Sequence, residues 1–185
     1  LDCAGVPNAE YQLAYNWEEV VKAANAIGYP LVLKPVDLAS SAFVRMIRSQ
    51  NDLQDAFKDL EAFPRNFRDQ ERDCTYLLEE YLAGNEVSVE TVSFAGKTKI
   101  IGITQKSLMG DPYFLENGHM FQADLTEDVR LDICQYVESA LQAVGYDYGI
   151  SHTEVKLTKN GPRIVEINPR TAGGYIVELI EIVYG

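Results

Sequence analysis

The residues best suited to chemistry lie in one stretch, Ser151-His152-Thr153-Glu154-Val155-Lys156-Leu157-Thr158-Lys159-Asn160-Gly161-Pro162-Arg163-Ile164-Val165-Glu166-Ile167-Asn168-Pro169-Arg170. It reads as two strands about a Lys-Asn-Gly turn. Side chains alternate faces along a strand. Val155, Leu157, Val165 and Ile167 therefore share an apolar face, and His152, Glu154 and Lys156 share the other with Glu166, Asn168 and Arg170. A two-residue Asn-Gly turn would set Glu154 against Ile167 and break this match. A loop Lys159-Asn160-Gly161 with Gly161 left-handed pairs Thr158 with Pro162, Glu154 with Glu166 and His152 with Asn168. Carboxylates directly opposed across a ladder repel each other, so a positive charge belongs between them. Glu154, Glu166 and Asn168 offer hard oxygen ligands of the kind that suit Mg²⁺, a cation that keeps few protein ligands and shares itself with substrate phosphates. A surface hairpin whose acids are neutralised by Lys156 or Arg170 is the other reading of these residues.

A sheet and a core must hold this hairpin, and the upstream sequence supplies candidates. Asn16 is placed to cap a helix, with Glu19 at the capping-box position. Val20, Val21, Ala24 and Ile27 then recur at helical spacing, and Gly28 ends the run. Pro30–Pro35 reads as a short buried strand bounded by prolines, and Val44–Ile47 as the next. Ser49 opens a second helix with the stripe Leu53, Ala56, Phe57 and Leu60. Residues 64–74 are polar and loop-like, and a lobe boundary is expected near their end. Thr75–Leu82 is a strand. Val87–Val92 alternates as a half-exposed strand, and Ala95-Gly96-Lys97 turns it back into Thr98–Ile103. Residues 107–118 read as a loop. Thr126 is placed to cap a helix to about Val144, with Val129, Ile133, Val137 and Leu141 on one face, and Ile176–Val183 reads as helical.

Composition narrows the class. With 46% hydrophobic and 24% charged residues, the 185-residue chain is an ordinary globular protein large enough to bury a core. Its net charge of −12 argues against nucleic acid and anionic membrane as partners. Cys3, Cys74 and Cys134 show no paired pattern and read as free thiols of a reducing compartment, hence the cytoplasm. No apolar run approaches a membrane span. The chain starts at Leu1 rather than Met and reads like part of something larger.

Glu154, followed at Glu166 by Glu166-Ile167-Asn168-Pro169-Arg170, resembles the metal-binding end of ATP-grasp enzymes, which include D-alanine–D-alanine ligase, biotin carboxylase, carbamoyl phosphate synthetase and the amino-acid ligases. The resemblance implies an α+β fold of two lobes with antiparallel sheets gripping ATP between them, here 1–74 and 75–185. It implies ATP and Mg²⁺ as cofactors, with Glu154, Glu166 and Asn168 on the metal and Arg170 stabilising the acyl phosphate and the transferring phosphoryl group. Positioning and charge neutralisation are what phosphoryl transfer demands, and a guanidinium fork matches phosphate oxygens. Gly28–Pro35 looks like the family's phosphate-lysine strand, with Lys34 as that lysine. Leu78-Glu79-Glu80-Tyr81-Leu82-Ala83-Gly84-Asn85-Glu86 is similar to the adenine hinge. There Glu79, Glu80 and Leu82 would face adenine, mainly through main chain, and Glu86 would take the ribose. Lys106 occupies the place of a γ-phosphate lysine. Glu116-Asn117-Gly118-His119 resembles a segment of the amino-acid ligase branch, as does the His-Thr-Glu-x-Lys string from His152, so His119 and His152 are the candidate substrate residues. The motifs run in the family's order over roughly residues 5–180.

The sequence departs from the family at the phosphate loop. Val36-Asp37-Leu38-Ala39-Ser40-Ser41-Ala42-Phe43 has no glycine, so contacts would fall to Ser40 and Ser41, and the loop is expected to be stiffer and less able to adopt left-handed angles. Relatives usually carry a preceding N-terminal domain and a C-terminal continuation outside this stretch, so the rest of its own polypeptide is an expected partner, and a homodimer is compatible with the sequence. Three functions fit. The first is an ADP-forming carboxylate–amine ligase acting on an amino acid or peptide-like substrate through an acyl phosphate. The second is a bicarbonate-using carboxylase or carbamoyl-phosphate-forming enzyme, and the third a non-catalytic nucleotide-binding module.

Overall fold

A computed structural model describes all 185 residues and divides them into two compact units. The smaller comprises Ala9–Tyr81 and Met109–Leu115; the larger comprises Leu1–Asn8, Leu82–Leu108 and Glu116–Gly185. The architecture is α+β, with two antiparallel sheets and four α-helices.

In the smaller unit, strands β1 (Tyr11–Ala14), β2 (Leu31–Pro35), β3 (Arg45–Ile47) and β4 (Tyr76–Glu80) form a sheet in the order β1-β4-β2-β3. Helices α1 (Trp17–Ile27) and α2 (Gln50–Glu61) pack with it into one core, in which Val20, Ala24, Leu31, Leu33, Ile47, Leu53, Leu60 and Leu78 are buried. Both helix starts follow from capping. The Asn16 side chain accepts from the Glu19 N–H at 3.0 Å, and the Ser49 hydroxyl from the Asp52 N–H at 3.2 Å. The Glu19 carboxylate reaches back to the Tyr15 N–H at 3.0 Å. Gly28, at φ 86°, ends α1. Strand β4 hydrogen-bonds both β1 and β2, which moves the boundary expected near residue 74 to Tyr81. Strand β1 was not anticipated, because its Tyr11 and Leu13 remain exposed and Ala14 alone is buried.

The larger unit holds β5 (Asn85–Phe94), β6 (Lys97–Met109), β7 (Leu115–Phe121), β8 (Gly149–Thr158) and β9 (Gly161–Asn168) in the order β7-β6-β5-β8-β9. Helix α3 (Glu127–Ala143) packs Ile133, Val137, Ala140 and Leu141 with Val87, Val89, Ile103, Val155 and Ile164. Val129, expected on that face, is 38% exposed. Thr126 sits at the N-cap of α3 without a side-chain cap bond. Helix α4 spans Ile176–Tyr184. The stretch 107–118, expected as a loop, instead finishes β6 and starts β7.

Strand β5 also differs from the half-exposed strand expected. Residues 86–91 are buried on both faces. Val87 and Val89 enter the apolar core, and Glu86, Ser88 and Glu90 line the opposite face at period two. Gly84 admits the turn into β5: its φ is 147°, and a Cβ there would lie 2.1 Å from the Leu157 carbonyl oxygen.

The β8–β9 hairpin reaches the expected outer register by another route. Its turn is the two-residue Lys159-Asn160, with Thr158 opposite Gly161 and Leu157 opposite Pro162. The ladder then shifts between Glu154 and Val155, so that one residue of β9, Val165, is bulged. Beyond the bulge Glu154 lies opposite Glu166 and His152 opposite Asn168, as expected. The bulge exchanges the apolar contacts: Ile164 is buried against the core where Val165 was expected.

Candidate functional site

In the smaller unit, Lys34 and Glu79 form an ion pair on the sheet face opposite the helices. Leu31 and Leu33 point into the core, and Val32 and Lys34 by alternation point away. Glu80 is exposed, and its N–H donates to the Glu10 carbonyl at 2.8 Å. The connection after β2 is pinned at its start. The Asp37 carboxylate accepts from Arg72 Nε at 3.2 Å, Arg72 Nη2 at 3.1 Å and the Asp73 N–H at 2.8 Å. Burial works against the Asp37 carboxylate, but the Arg72 bond and charge and the Asp73 N–H hold it below the usual range. Ser40 and Ser41 are exposed and adopt φ 58° and 55°, and Phe43 φ 60°. The expectation that a glycine-free loop avoids left-handed angles is therefore overturned. Local turn bonds, Ala42 N–H to Ala39 O and Val44 N–H to Ser41 O, hold these residues there.

In the larger unit, the register stacks polar side chains in rows across three strands. Glu86 faces Lys106 and Lys156; Ser88 faces Thr104 and Glu154; Glu90 faces His152. Lys106 Nζ is at the centre, 2.9 Å from Glu86 Oε1, 2.9 Å from Glu154 Oε1 and 2.6 Å from Glu116 Oε1. Lys156 Nζ holds the other Glu86 oxygen at 3.2 Å. Burial would depress the Lys106 ammonium, but the charges of Glu154 and Glu86 and the Glu116 bond outweigh it and hold its pKa above the ordinary lysine value. For Glu154 burial is again opposed, by the His152 bond and the Lys106 charge, and its pKa falls to about 2. His152 is raised to about 9: its burial is outweighed by bonds to Glu154 and Glu90. Glu116 is lowered, its burial offset first by Lys106 and then by His119.

The sequence-derived site residues divide accordingly. Glu86, Lys106, His152 and Glu154 converge in one network. Glu166 lies opposite Glu154, and its Oε2 accepts from Asn168 Nδ2 at 3.0 Å. Arg170 is exposed, with Nη1 on the Thr171 carbonyl at 2.9 Å. Leu82, half-buried, begins the second segment of this unit. His119 pairs with Glu116 at 2.9 Å. Neither Lys156 nor Arg170 touches Glu154 or Glu166; Lys106 of β6 and His152 stand beside Glu154, both at its Oε1. Glu90, Glu116 and Lys156 are additional members. Period-two spacing from Glu86 would have found Glu90, and the Glu-x-Gly-His string contains Glu116.

No group of three His, Cys, Asp or Glu side chains forms a ready cage, and the carboxylates that do converge surround an ammonium. Two opposed carboxylates and an adjacent amide are all oxygen donors, and they suit a hard cation that completes its shell with phosphate or water. The residues present fit Mg²⁺.

The fold consists of two antiparallel α+β units, one with a lysine near a strand end and one with an acidic polar sheet face. Residues 27–178 match the ATP-grasp domain, and the chain belongs to that family. It is 27% identical, over 98% of its length, to alanine–anticapsin ligase of Bacillus subtilis (strain 168). Its fold resembles L-amino acid ligase from Bacillus licheniformis, with TM-score 0.75, 24% identity and 95% of this chain covered. It also resembles a biotin carboxylase from Campylobacter jejuni, with TM-score 0.78, 23% identity and 98% covered. The chain spans 42% of the first relative's length, and 39% and 40% of the two structures. No helix is long and apolar enough to cross a membrane.

Proposed function

We propose that this chain is the nucleotide- and metal-binding part of an ADP-forming carboxylate–amine ligase acting on an amino acid or peptide-like substrate. The observation that carries the reading is the register of the β8–β9 hairpin, which sets Glu154 against Glu166 with Asn168 beside them. Glu154, Glu166 and Asn168 would hold Mg²⁺, which when bound supplies charge neutralisation to phosphate oxygens. Lys34, with Ser40 and Ser41, would bind phosphates. Glu79, Glu80 and Leu82 would contact adenine, and Glu86 the ribose. Two of these roles exchange a present partner: Lys34 would leave Glu79 to meet phosphate, and Glu86 would turn from Lys106 and Lys156. Lys106 and Arg170 would stabilise charge as a substrate carboxylate oxygen attacks the γ-phosphorus and the bond to ADP breaks. Amine attack on the acyl carbon then expels phosphate, and the amine loses a proton. His119, paired with Glu116, would meet the substrate. Identity to an alanine-using ligase along nearly the whole chain supports the amine branch over bicarbonate.

The test is a calorimetric titration with a nonhydrolysable ATP analogue, with and without Mg²⁺, followed by ADP release from the full-length protein against a panel of amino acids and bicarbonate. Mg²⁺-dependent binding and amino-acid-stimulated ADP release are expected. Release stimulated by bicarbonate alone overturns the amine assignment, and absence of Mg²⁺-dependent binding overturns the enzyme reading altogether.

A further inference from the structure

Glu90 is hard to account for as a structural residue. It lies mid-strand in β5, the central strand of the larger sheet, and is 4% exposed. Burying a carboxylate is expensive unless a partner of good geometry compensates. The adjacent cross-strand pair solves the same problem with neutral groups, the Thr91 and Ser151 hydroxyls at 2.6 Å. Glu90 instead meets the His152 ring, Oε1 to Nδ1, at 2.7 Å. His152 is 3% exposed, and its other nitrogen, Nε2, lies 3.3 Å from Glu154 Oε1. Both ring nitrogens are thus occupied, so the ring is not free to meet a substrate as the sequence suggested.

We infer that Glu90 is a positioning residue for Glu154, acting through His152. The inference rests on the reading of Glu154 as a metal ligand. Glu90 fixes the plane of the imidazole and keeps Nε2 aimed along the sheet face. His152 and Lys106 both contact Oε1 of Glu154. These two contacts fix the orientation in which the carboxylate would meet a cation. Hydrogen-bonded partners of this kind orient ligating groups, and their loss typically weakens metal binding about 10–100-fold.

The experiment measures the Mg²⁺ concentration needed for half-maximal binding of a nonhydrolysable ATP analogue by the full chain, with circular dichroism to establish folding. Glu90→Gln is expected to raise that concentration at least ~10-fold while leaving Mg²⁺-free analogue binding unchanged. His152→Asn, which can still donate to Glu90 but falls short of Glu154, is expected to do the same, and serves where Glu90→Gln does not fold. In a Glu154→Gln background neither change should have a further effect, because the two act through that carboxylate. If Glu154→Gln itself leaves the Mg²⁺ dependence intact, the metal reading fails and this inference with it. If Glu154→Gln removes the dependence while folded Glu90→Gln or His152→Asn retains it, the positioning inference alone is overturned.

Discussion

Lys106→Met keeps the reach of the side chain and deletes the charge at the centre of the network. Glu86, Glu116 and Glu154 lose an ammonium at 2.6–2.9 Å. The size of the effect follows from Glu154, whose side chain is 17% exposed. Its pKa falls from 4.5 to about 2 on folding. At about 1.4 kcal/mol per pH unit, that is about 3 kcal/mol of stability, shared between His152 and Lys106. Breaking a buried ion pair by removing one partner costs about 3–5 kcal/mol, set against a domain total of about 5–15 kcal/mol. The variant should therefore fold with a much lower denaturation midpoint. The folded pKa of Glu154 lies below its unfolded value, so its contribution is complete above pH 4.5 and disappears as pH falls toward 2. Without Lys106 that contribution shrinks, so the gap between variant and wild type is widest at neutral pH and narrows on acidification below 4.5. Urea unfolding followed by circular dichroism across this range measures the gap. Millimolar Mg²⁺ should raise the midpoint of the variant more than that of the wild type, because carboxylates freed from an ammonium can take up a divalent cation. A gap under about 0.5 kcal/mol at neutral pH, or one that widens in acid, refutes the reasoning.

Asp37→Asn leaves the Arg72 guanidinium, 5% exposed, without its counter-charge and should cost about 2 kcal/mol. The Asp37 pKa is lowered in the fold, so this contribution is complete above its ordinary value of 3.8 and lost as pH falls through the folded value; thermal unfolding over that range should show it in the wild type and not in the variant. Ser40→Gly or Ser41→Gly relieves a left-handed angle costing roughly 1–2 kcal/mol and adds roughly 0.5–1 kcal/mol of chain entropy to the unfolded state. Each should raise the midpoint slightly, and a lowered midpoint would show that the serine side chain stabilises the turn. Asn16→Ala removes the cap on α1 and should destabilise the smaller unit by about 1 kcal/mol, read as faster amide exchange in Val20–Ala24.

The elements most legible in the sequence were those whose signal is local. The caps of α1 and α2, the Ala95-Gly96 turn and the apolar stripe of α2 each depend on residues a few positions apart. Strand β1 and most of β7 were not legible, because their apolar side chains stay exposed and the sheet partner, not the strand's own pattern, holds them in place. Pairing of β4 with β1 and β2 is equally non-local, hence the misplaced unit boundary. The hairpin lies between these cases. Its polar pattern fixed Glu154 against Glu166, yet the same register is compatible with a three-residue loop or with a two-residue turn followed by a bulge. The sequence could not separate these, and they differ in whether Val165 or Ile164 is buried.

Glu86, Glu90, Glu116 and Glu154 form one connected cluster with Lys106, Lys156 and His152, the last charged at neutral pH with its pKa near 9. Four acids against three cations leave one negative charge, and Glu166, opposite Glu154, makes it two. A hairpin that merely needed neutralising would have met that excess from Arg170 or Lys156, which stand on or beside the same strands. Arg170 contacts a backbone carbonyl instead, and Lys156 is committed to Glu86. One negative charge is left on the buried network, and the exposed Glu166 carboxylate opposite Glu154 carries the second. The excess matches the charge of one divalent ion, and it is the quantity that Lys106→Met increases and Glu154→Gln or Glu166→Gln decreases.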